Sequence, residues 1–520
     1  MENPKAGSLQ TALTLAAMLS MSPLYAADWT VVPSIGASEM YSDNIFLSPA
    51  PYQLSDFVTT ITPGIRVTGT SERLKASLNY SLQDINYTKY SSLDYITQQL
   101  NAAGNATLVD QTLFLDAGAS ISQQPLYMAG PMGLGNSSAN GNLENVTTTS
   151  ISPYVTHRFN TFATGMARYT HQTMDFSQAG PSNINGYGGG YGLGMYNSTV
   201  DTALATLNSG SDFNNLIWGL NLNNSRISYE GMAPMTLAQY SANLGYLITP
   251  RFKVIATGGY EDDSFAYIGQ NPRSNFWNLG FDWSPSVRTK LEVTEGERFF
   301  GRTHSLNFTH HARMTTWNAI YSQDVTTMLM QQTVPPSVTL DLMLQQQIPD
   351  PATRQQVVQS MLAALGSQSM LFAQNVMTNQ ILLVKTMNAS VALALPRDTY
   401  LLTLFNTKSA PLQQAVNFLP GVYGAYNYMN VDQYGGTLSW NKQLNPLLSA
   451  NANINTTYFT FPGQTLEEKM RSFTVGLSRK LGPRLNGNVM IRHQTMDSTP
   501  ANIGYSFSEN AVIASMMYLF

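Results

Sequence analysis

Six histidines, His157, His171, His304, His310, His311 and His493, are the side chains best suited to move a proton or hold a metal near neutral pH. Their spacing supports neither role. No His-x-x-x-His pair and no local His/Ser/Asp grouping occurs. His310 and His311, adjacent on a predicted strand, point to opposite faces and cannot share one ion. The chain has no cysteine, so it offers no thiolate metal site and no disulfide framework. The glycine-rich run GYGGGYGLG (Gly186–Gly194) precedes no helical pattern, so it reads as an external loop rather than a phosphate cradle. The sequence therefore predicts no enzyme, no catalytic residue, no cofactor and no metal.

The densest charge lies in VRTKLEVTEGERFFGR, Val287 to Arg302. At period two, Arg288, Lys290, Glu292 and Thr294 share one face, with Leu291 and Val293 on the other. Ions on the lipid side of a barrel strand cost several kcal/mol at mid-bilayer, about 2–4 for Arg or Lys, so the charged face is expected to line a lumen. Arg66, Lys75, Asp116, Lys253, Glu261, Lys385 and Arg492 are expected to join it from other strands. The mixed signs argue against a strong anion or cation filter. A path-lining role and a ladder of wall-stiffening salt bridges both stand.

The elements that must carry these residues are strands. Charged residues make up only 11% of the 520, less than half the share of about 25% usual in soluble domains. No apolar run of eighteen residues occurs, which excludes helical membrane spans. Low charge without long apolar runs is what alternation produces. Leu74, Ala76, Leu78, Tyr80 and Leu82 oppose Lys75, Ser77, Asn79, Ser81 and Gln83, and Leu448, Ala450, Ala452 and Ile454 oppose Ser449, Asn451, Asn453 and Asn455. The polar face is mostly uncharged, as a hydrated lumen requires.

Short turns, such as Thr70–Glu72, Thr249–Arg251, Ser284–Ser286 and Leu481–Arg484, alternate with long connections, such as Ile45–Ser55, Pro125–Gly141, Ser177–Met195 and Ser409–Asp432. With tight turns in the periplasm and long loops outside, the pattern predicts an all-β, transmembrane antiparallel β-barrel of about 22 strands. Trp29, Trp218, Trp277, Trp283, Trp440, Tyr80, Tyr260, Tyr458 and Tyr518 fall near strand ends, where interfacial aromatic girdles belong. The final segment, Ser508 to Phe520, puts Val512, Ala514, Met516, Tyr518 and Phe520 on one face and reads as the strand that closes the barrel.

Two segments depart from alternation. Residues 1–27, with Lys5, an apolar stretch from Leu9 to Met21 and then SPLYAA, read as a signal peptide cleaved near Ala26 or Ala27, leaving 28–520 as the barrel. Residues 325–379 are rich in Gln, Met and Leu. Within them Asp350-Pro351 and the following ATRQQVVQSMLAALG carry an N-cap, a first-turn proline, the stripe Val357, Val358, Met361, Leu362 and Leu365, and Gly366 at the end. This predicts one helical insertion on the extracellular side, either capping the mouth or entering the lumen.

Several blocks resemble the outer-membrane β-barrels associated with the PEP-CTERM/exosortase system of Gram-negative bacteria. They are DWTVVPSIGASEMYSDNIFL (Asp28–Leu47), TLFLDAGASISQQ (Thr112–Gln124), NLGYLITPRF (Asn243–Phe252), and a dense block within Gly258–Thr327. That block runs GGYEDDSF, NFWNLGFDWSPSVRTKLEVTEGERFFG and TTWNAIYSQDVTT, and it is followed by DPATRQQV (Asp350–Val357) and MTNQILLVKTMNASVAL (Met377–Leu393). The resemblance spans the mature chain and departs from the pattern at Thr386, where a second basic residue is expected beside Lys385. It implies no catalytic residues and a place in exopolysaccharide export or envelope assembly.

On that footing the chain is expected in the bacterial outer membrane, as a passive conduit or accessory component of exopolysaccharide export. A general diffusion porin or a structural surface anchor is the alternative. Its expected partners are outer-membrane lipid, the barrel assembly machinery, polysaccharide and periplasmic export components. The net charge of −4 argues against nucleic acid. No globular segment of plug size precedes the first predicted strand, which favours export over energised uptake.

Overall fold

The computed structural model describes residues 28–125, 128, 130–139, 142–178, 196–265, 272–331, 340, 344–345, 348, 354, 357–358, 378–412, 430–500 and 505–520. The expected signal peptide, the Gly186–Gly194 loop and most of the expected helix lie outside these residues.

Twenty-two strands follow one another in chain order. They are β1 (Asp28–Ser42), β2 (Asp56–Thr70), β3 (Leu74–Tyr87), β4 (Tyr95–Val109), β5 (Leu113–Pro125), β6 (Leu143–Phe159), β7 (Ala163–Gln178) and β8 (Ser198–Ser209). Next come β9 (Leu216–Tyr229), β10 (Met235–Thr249), β11 (Phe252–Asp262), β12 (Arg273–Ser286), β13 (Thr289–Arg298), β14 (Gly301–His311) and β15 (Thr315–Thr326). The last are β16 (Leu382–Ala394), β17 (Asp398–Pro411), β18 (Val431–Asn445), β19 (Leu448–Thr460), β20 (Glu467–Lys480), β21 (Leu485–Thr499) and β22 (Phe507–Leu519).

Each strand pairs antiparallel with its neighbours in sequence, and β22 pairs with β1 from Ser34↔Leu519 to Ser42↔Ala511, so the sheet is a closed barrel. Closure is what makes the fold viable in hydrocarbon, because an open sheet edge there would leave N–H and C=O groups without partners. The even strand number brings β1 and β22 together antiparallel. Beyond the strand, the Phe520 amide donates to the Pro33 carbonyl at 3.0 Å.

Connections after even-numbered strands are short and those after odd-numbered strands are mostly longer. The barrel therefore has a short-turn end, which carries Asp28 and Phe520, and a long-loop end. One expected turn is displaced. Strand β12 continues through Ser286, and the reversal is made by Val287, fully exposed, and Arg288.

Register sorts every strand into two faces. On β17, Leu402 and Leu404 are exposed on the outside while Leu401, Thr403, Phe405, Thr407 and Ser409 are buried on the inside. On β22, Val512, Met516, Tyr518 and Phe520 are exposed outward, as the alternation predicts. The outer apolar residues form a band that starts at the short-turn end. It runs from Phe520 to Val512 on β22, from Leu216 to Leu222 on β9 and from Tyr400 to Leu404 on β17. These runs are five to nine residues long, and the longest of them, tilted as barrel strands are, approaches an apolar girdle about 25 Å tall. Nearer the long-loop end the outer face turns polar, with Asn224 and Arg226 on β9, Asn406 and Lys408 on β17, and Lys469 and Arg471 on β20. All nine aromatic residues expected at interfaces share the outward register.

Candidate functional site

The inner surface is the candidate site, and among the described residues two sets of connections enter it. At the long-loop end the β1–β2 connection buries Ile45 and Leu47, and the β5–β6 connection buries Met128, Met132, Leu134 and Ala139 against inward side chains such as Met470, Met496 and Phe507. Polar contacts hold them. The Tyr95 hydroxyl donates to the Asn136 carbonyl, and Asn136 Nδ2 donates to Gln83 at 3.0 Å and to Gln123 at 3.1 Å. The Leu134 amide donates to Gln494 Oε1 at 3.1 Å.

Gln494 belongs to a buried polar node. Its Nε2 donates to Glu509, as does the Ser42 hydroxyl at 2.7 Å, and Arg492 Nη2 meets both Glu509 oxygens at 2.9 and 3.1 Å. Arg492 thus faces inward as expected, but its charge is spent inside the wall on Glu509. Between this node and the Leu134–Ser137 segment lies a cavity of about 190 Å³ lined by Ser38, Thr60, Thr62, Gln83, Thr474 and Arg492.

The β15–β16 connection, residues 327–381, also enters the lumen. At its start Met328 and Leu329 pack against Val146, Met174, Val200, Ile227 and Tyr229, on the inner wall of β6 to β9. Further on, Leu340, Leu344, Val357 and Val358 pack against Ala392 and Leu401, inward residues close to the short-turn end. The insertion therefore reaches far down the barrel rather than capping its mouth. Arg354, Val357 and Val358 are helical; the rest of the expected helix lies outside the described residues. Arg354 Nη1 donates to the Ile348 carbonyl at 2.9 Å.

The inner wall from β17 to β20 is a hydroxyl and amide ladder. Asn453 Nδ2 donates to Ser439 at 2.7 Å, Asn455 Nδ2 to Thr437 at 2.8 Å, and Asn451, Thr457, Thr403 and Thr474 extend it, all buried. On the opposite wall the inward residues Asn101, Ala103 and Asn105 of β4 remain exposed.

The expected lumen charges gather mainly on that accessible side. Arg66 and Lys75 point inward from β2 and β3, in register with Val32 and Thr70, and neither has an ion pair among the described residues. Asp116 accepts from Asn105 and from Arg168 at 2.8 Å, and Arg168 lies 4.0 Å from the Tyr154 ring. Lys253 and Lys290 approach Asp282 at 3.5 and 3.8 Å, and Lys290 approaches Glu292 at 3.4 Å. Glu261, fully buried, accepts from Arg298 Nε at 2.7 Å, while Arg298 Nη1 donates to Asp324 at 3.0 Å.

Two assignments require correction. Arg288 lies in the β12–β13 turn, because that turn falls two residues later than expected, so it does not line the lumen. Lys385 pairs with Gln323 and Lys408 and shares the register of outward Met387, so it belongs to the outer polar zone; its strand is one step out of the assumed phase.

Sequence spacing also missed an outer cluster. His171 Nδ1 lies 2.7 Å from Asp201 Oδ1, and the Tyr169 hydroxyl donates to the same oxygen at 2.6 Å. The residues are 30 or more apart in sequence, and only the β7–β8 register unites them. His310 and His311 do point to opposite faces, outward and inward respectively. Among the described residues no group of three or more His, Asp or Glu is placed to hold a metal ion.

No family model matches this chain and no curated protein matches it. Solved structures with similar architecture include the FrpB iron transporter from Neisseria meningitidis, at 9% identity and TM-score 0.47, covering 94% of this chain and 82% of that one. The outer membrane protein opdK from Pseudomonas aeruginosa aligns at 10% identity and TM-score 0.36, over 94% of this chain and 99% of that one. The siderophore receptor PirA from Pseudomonas aeruginosa aligns at 9% identity and TM-score 0.39, over 94% and 80%. These likenesses concern barrel architecture and carry nothing about cargo.

Proposed function

We propose that the chain is a bacterial outer-membrane barrel, with the short-turn end in the periplasm, that serves as a non-enzymatic conduit or accessory component for export of a hydrated polysaccharide. The observation that carries this reading is the pairing of an apolar outer band with an inner wall of uncharged hydroxyls and amides. A sugar polymer needs many shallow hydrogen-bonding partners and no deep ionic traps; the accessible Asn101 and Asn105 of β4 are partners of that kind, and the covered Asn/Ser/Thr ladder of β17 to β20 keeps the rest of the wall uncharged. The PEP-CTERM resemblance supports an exopolysaccharide as the polymer.

In the periplasmic half, the inward-register cations Arg66, Lys75, Arg158, Arg168, Lys253, Lys290 and Lys480 outnumber the inward-register carboxylates Asp28, Asp116, Asp282 and Glu292 among the described residues. An entrance of that sign favours a polymer bearing acidic groups. In planar bilayers the protein is expected to pass anions in preference to cations, and Arg66→Glu with Lys75→Glu to reverse that preference. Secreted polymer should fall in a strain lacking the gene. Unchanged polymer would remove export from the reading.

A structural barrel that anchors polymer or partners at the surface is the second reading. It is favoured by the two loops that fill the long-loop end and by the insertion packed against the short-turn end of the lumen. The absence of any conductance from a correctly assembled barrel would support it over the conduit.

A further inference from the structure

A trough runs along the outside of the barrel where β7 and β8 carry small residues. In register, one row reads Leu113, Val155, Ala167, Ala205, Leu222 and Tyr240 from β5 to β10. The next row towards the long-loop end places Tyr169, Ala203 and Asn224 side by side, and the one after it His171, Asp201 and Arg226. Alanines thus form the floor, and Val155 with Leu113 and Leu222 with Tyr240 form the walls, of a cavity of about 450 Å³. That is within the range of about 300–1,000 Å³ typical of pockets for single ligands.

The trough is closed at one end by polar groups. Tyr169, over the floor, donates to Asp201, and Asp201 also engages His171. Arg226, opposite Asp201, is exposed and acts on that carboxylate electrostatically, but it makes no hydrogen bond or ion pair among the described residues, so its donors stay open to an anion. This polar row lies where the outer apolar band gives way to the polar zone, so it sits at headgroup depth. A flat neighbouring barrel wall would leave the trough empty. An amphiphile with an apolar chain and an anionic head fits both its shape and its polarity.

We infer that this trough is a specific site for a phosphorylated acyl lipid of the lipid A class. One acyl chain lies over Ala167, Ala203 and Ala205, and a phosphate lies at Arg226 beside the His171 ring. The inference rests on the barrel being membrane-embedded. Arg226 supplies the charge, and Asp201, already engaged by Tyr169 and His171, holds those two side chains over the mouth of the trough.

The test is native mass spectrometry of the full, delipidated chain in mild detergent, titrated with bis-phosphorylated lipid A, dephosphorylated lipid A or phosphatidylethanolamine. Wild type should retain one equivalent of the phosphorylated lipid at least tenfold more tightly than either control. Arg226→Ala should lose that preference, and Ala205→Phe should weaken both lipid A forms at least tenfold. Retained heat-modifiability on gels reports an intact barrel; if Ala205→Phe fails to assemble, Ala203→Leu replaces it. Equal lipid A binding by wild type and variants overturns the site, as does phosphatidylethanolamine binding as tightly. A wild-type oligomer that Ala205→Phe dissociates also overturns it, in favour of a second copy in the trough. A chain that stays dispersed without detergent fails differently, by removing the membrane reading itself.

Discussion

Glu509 shows how a barrel interior spends charge. Fully buried, it is held by Arg492, Gln494 and Ser42. Removing one partner of a buried pair leaves an uncompensated charge and costs about 3–5 kcal/mol. Arg492→Met alone should therefore lower the urea midpoint of the refolded barrel markedly, whereas Arg492→Met with Glu509→Leu should lower it much less. A double variant as unstable as the single would mean that the ion pair itself, not the orphaned carboxylate, dominates.

Asp263, just beyond β11, is a second instructive residue. Burial pushes its carboxyl from the usual 3.8 up to about 7, with nearby Glu261 and Asp262 pushing the same way, while the Ala238 amide, donating at 3.1 Å, and Arg298 oppose them. Between those two values the folded loop holds a proton that the unfolded loop releases. Local stability should thus fall as pH rises from about 4 to 7 and level off above it. The protection of the Ala238 amide relative to its intrinsic exchange rate should fall over that window in wild type and stay flat in Asp263→Asn; identical profiles would place the proton elsewhere.

At the scale of elements, the insertion after β15 is held in the lumen by apolar contacts of Leu340 and Leu344 on Ala392 and Leu401. Polar replacement of a buried leucine removes about 2–5 kcal/mol of packing, so replacing both loosens the hold of this segment on Ala392 and Leu401. Leu340→Ser with Leu344→Ser should raise single-channel conductance with the barrel intact. Unchanged conductance would show that this segment does not obstruct the path. The departure from alternation in 325–379 is legible in the sequence, and residues 327–381 connect β15 to β16. The insertion's descent into the lumen is not. Helical spacing reports which residues share a stripe, and says nothing about which of two apolar surfaces receives it. The Arg288 error has a similar origin, since Pro285 marks a turn by composition while the chain reverses two residues later.

For the whole molecule, the outer apolar band sets the depth of immersion. Leu402, exposed at the centre of the band on β17, and Asn406, four residues further towards the long-loop end, test it as a pair. An arginine costs about 2–4 kcal/mol near the bilayer midplane and about 0–1 near an interface. Leu402→Arg should therefore depress folding into vesicles more than Asn406→Arg, as read from urea midpoints. Equal effects would mean that the band is not seated in lipid at this depth.

Alternation, turn spacing and an apolar closing strand determined the barrel, its strand number and the outward aromatic girdle. Each follows from a period-two pattern that hydrocarbon outside and water inside impose on every strand separately. Tertiary structure decided which charges meet. Arg492 is consumed by Glu509, Lys385 lies outside, and His171, Asp201 and Arg226 form a single row only because β7, β8 and β9 pair in that register. Inter-strand register depends on turn geometry and on the shear of the closed sheet, which no single strand encodes.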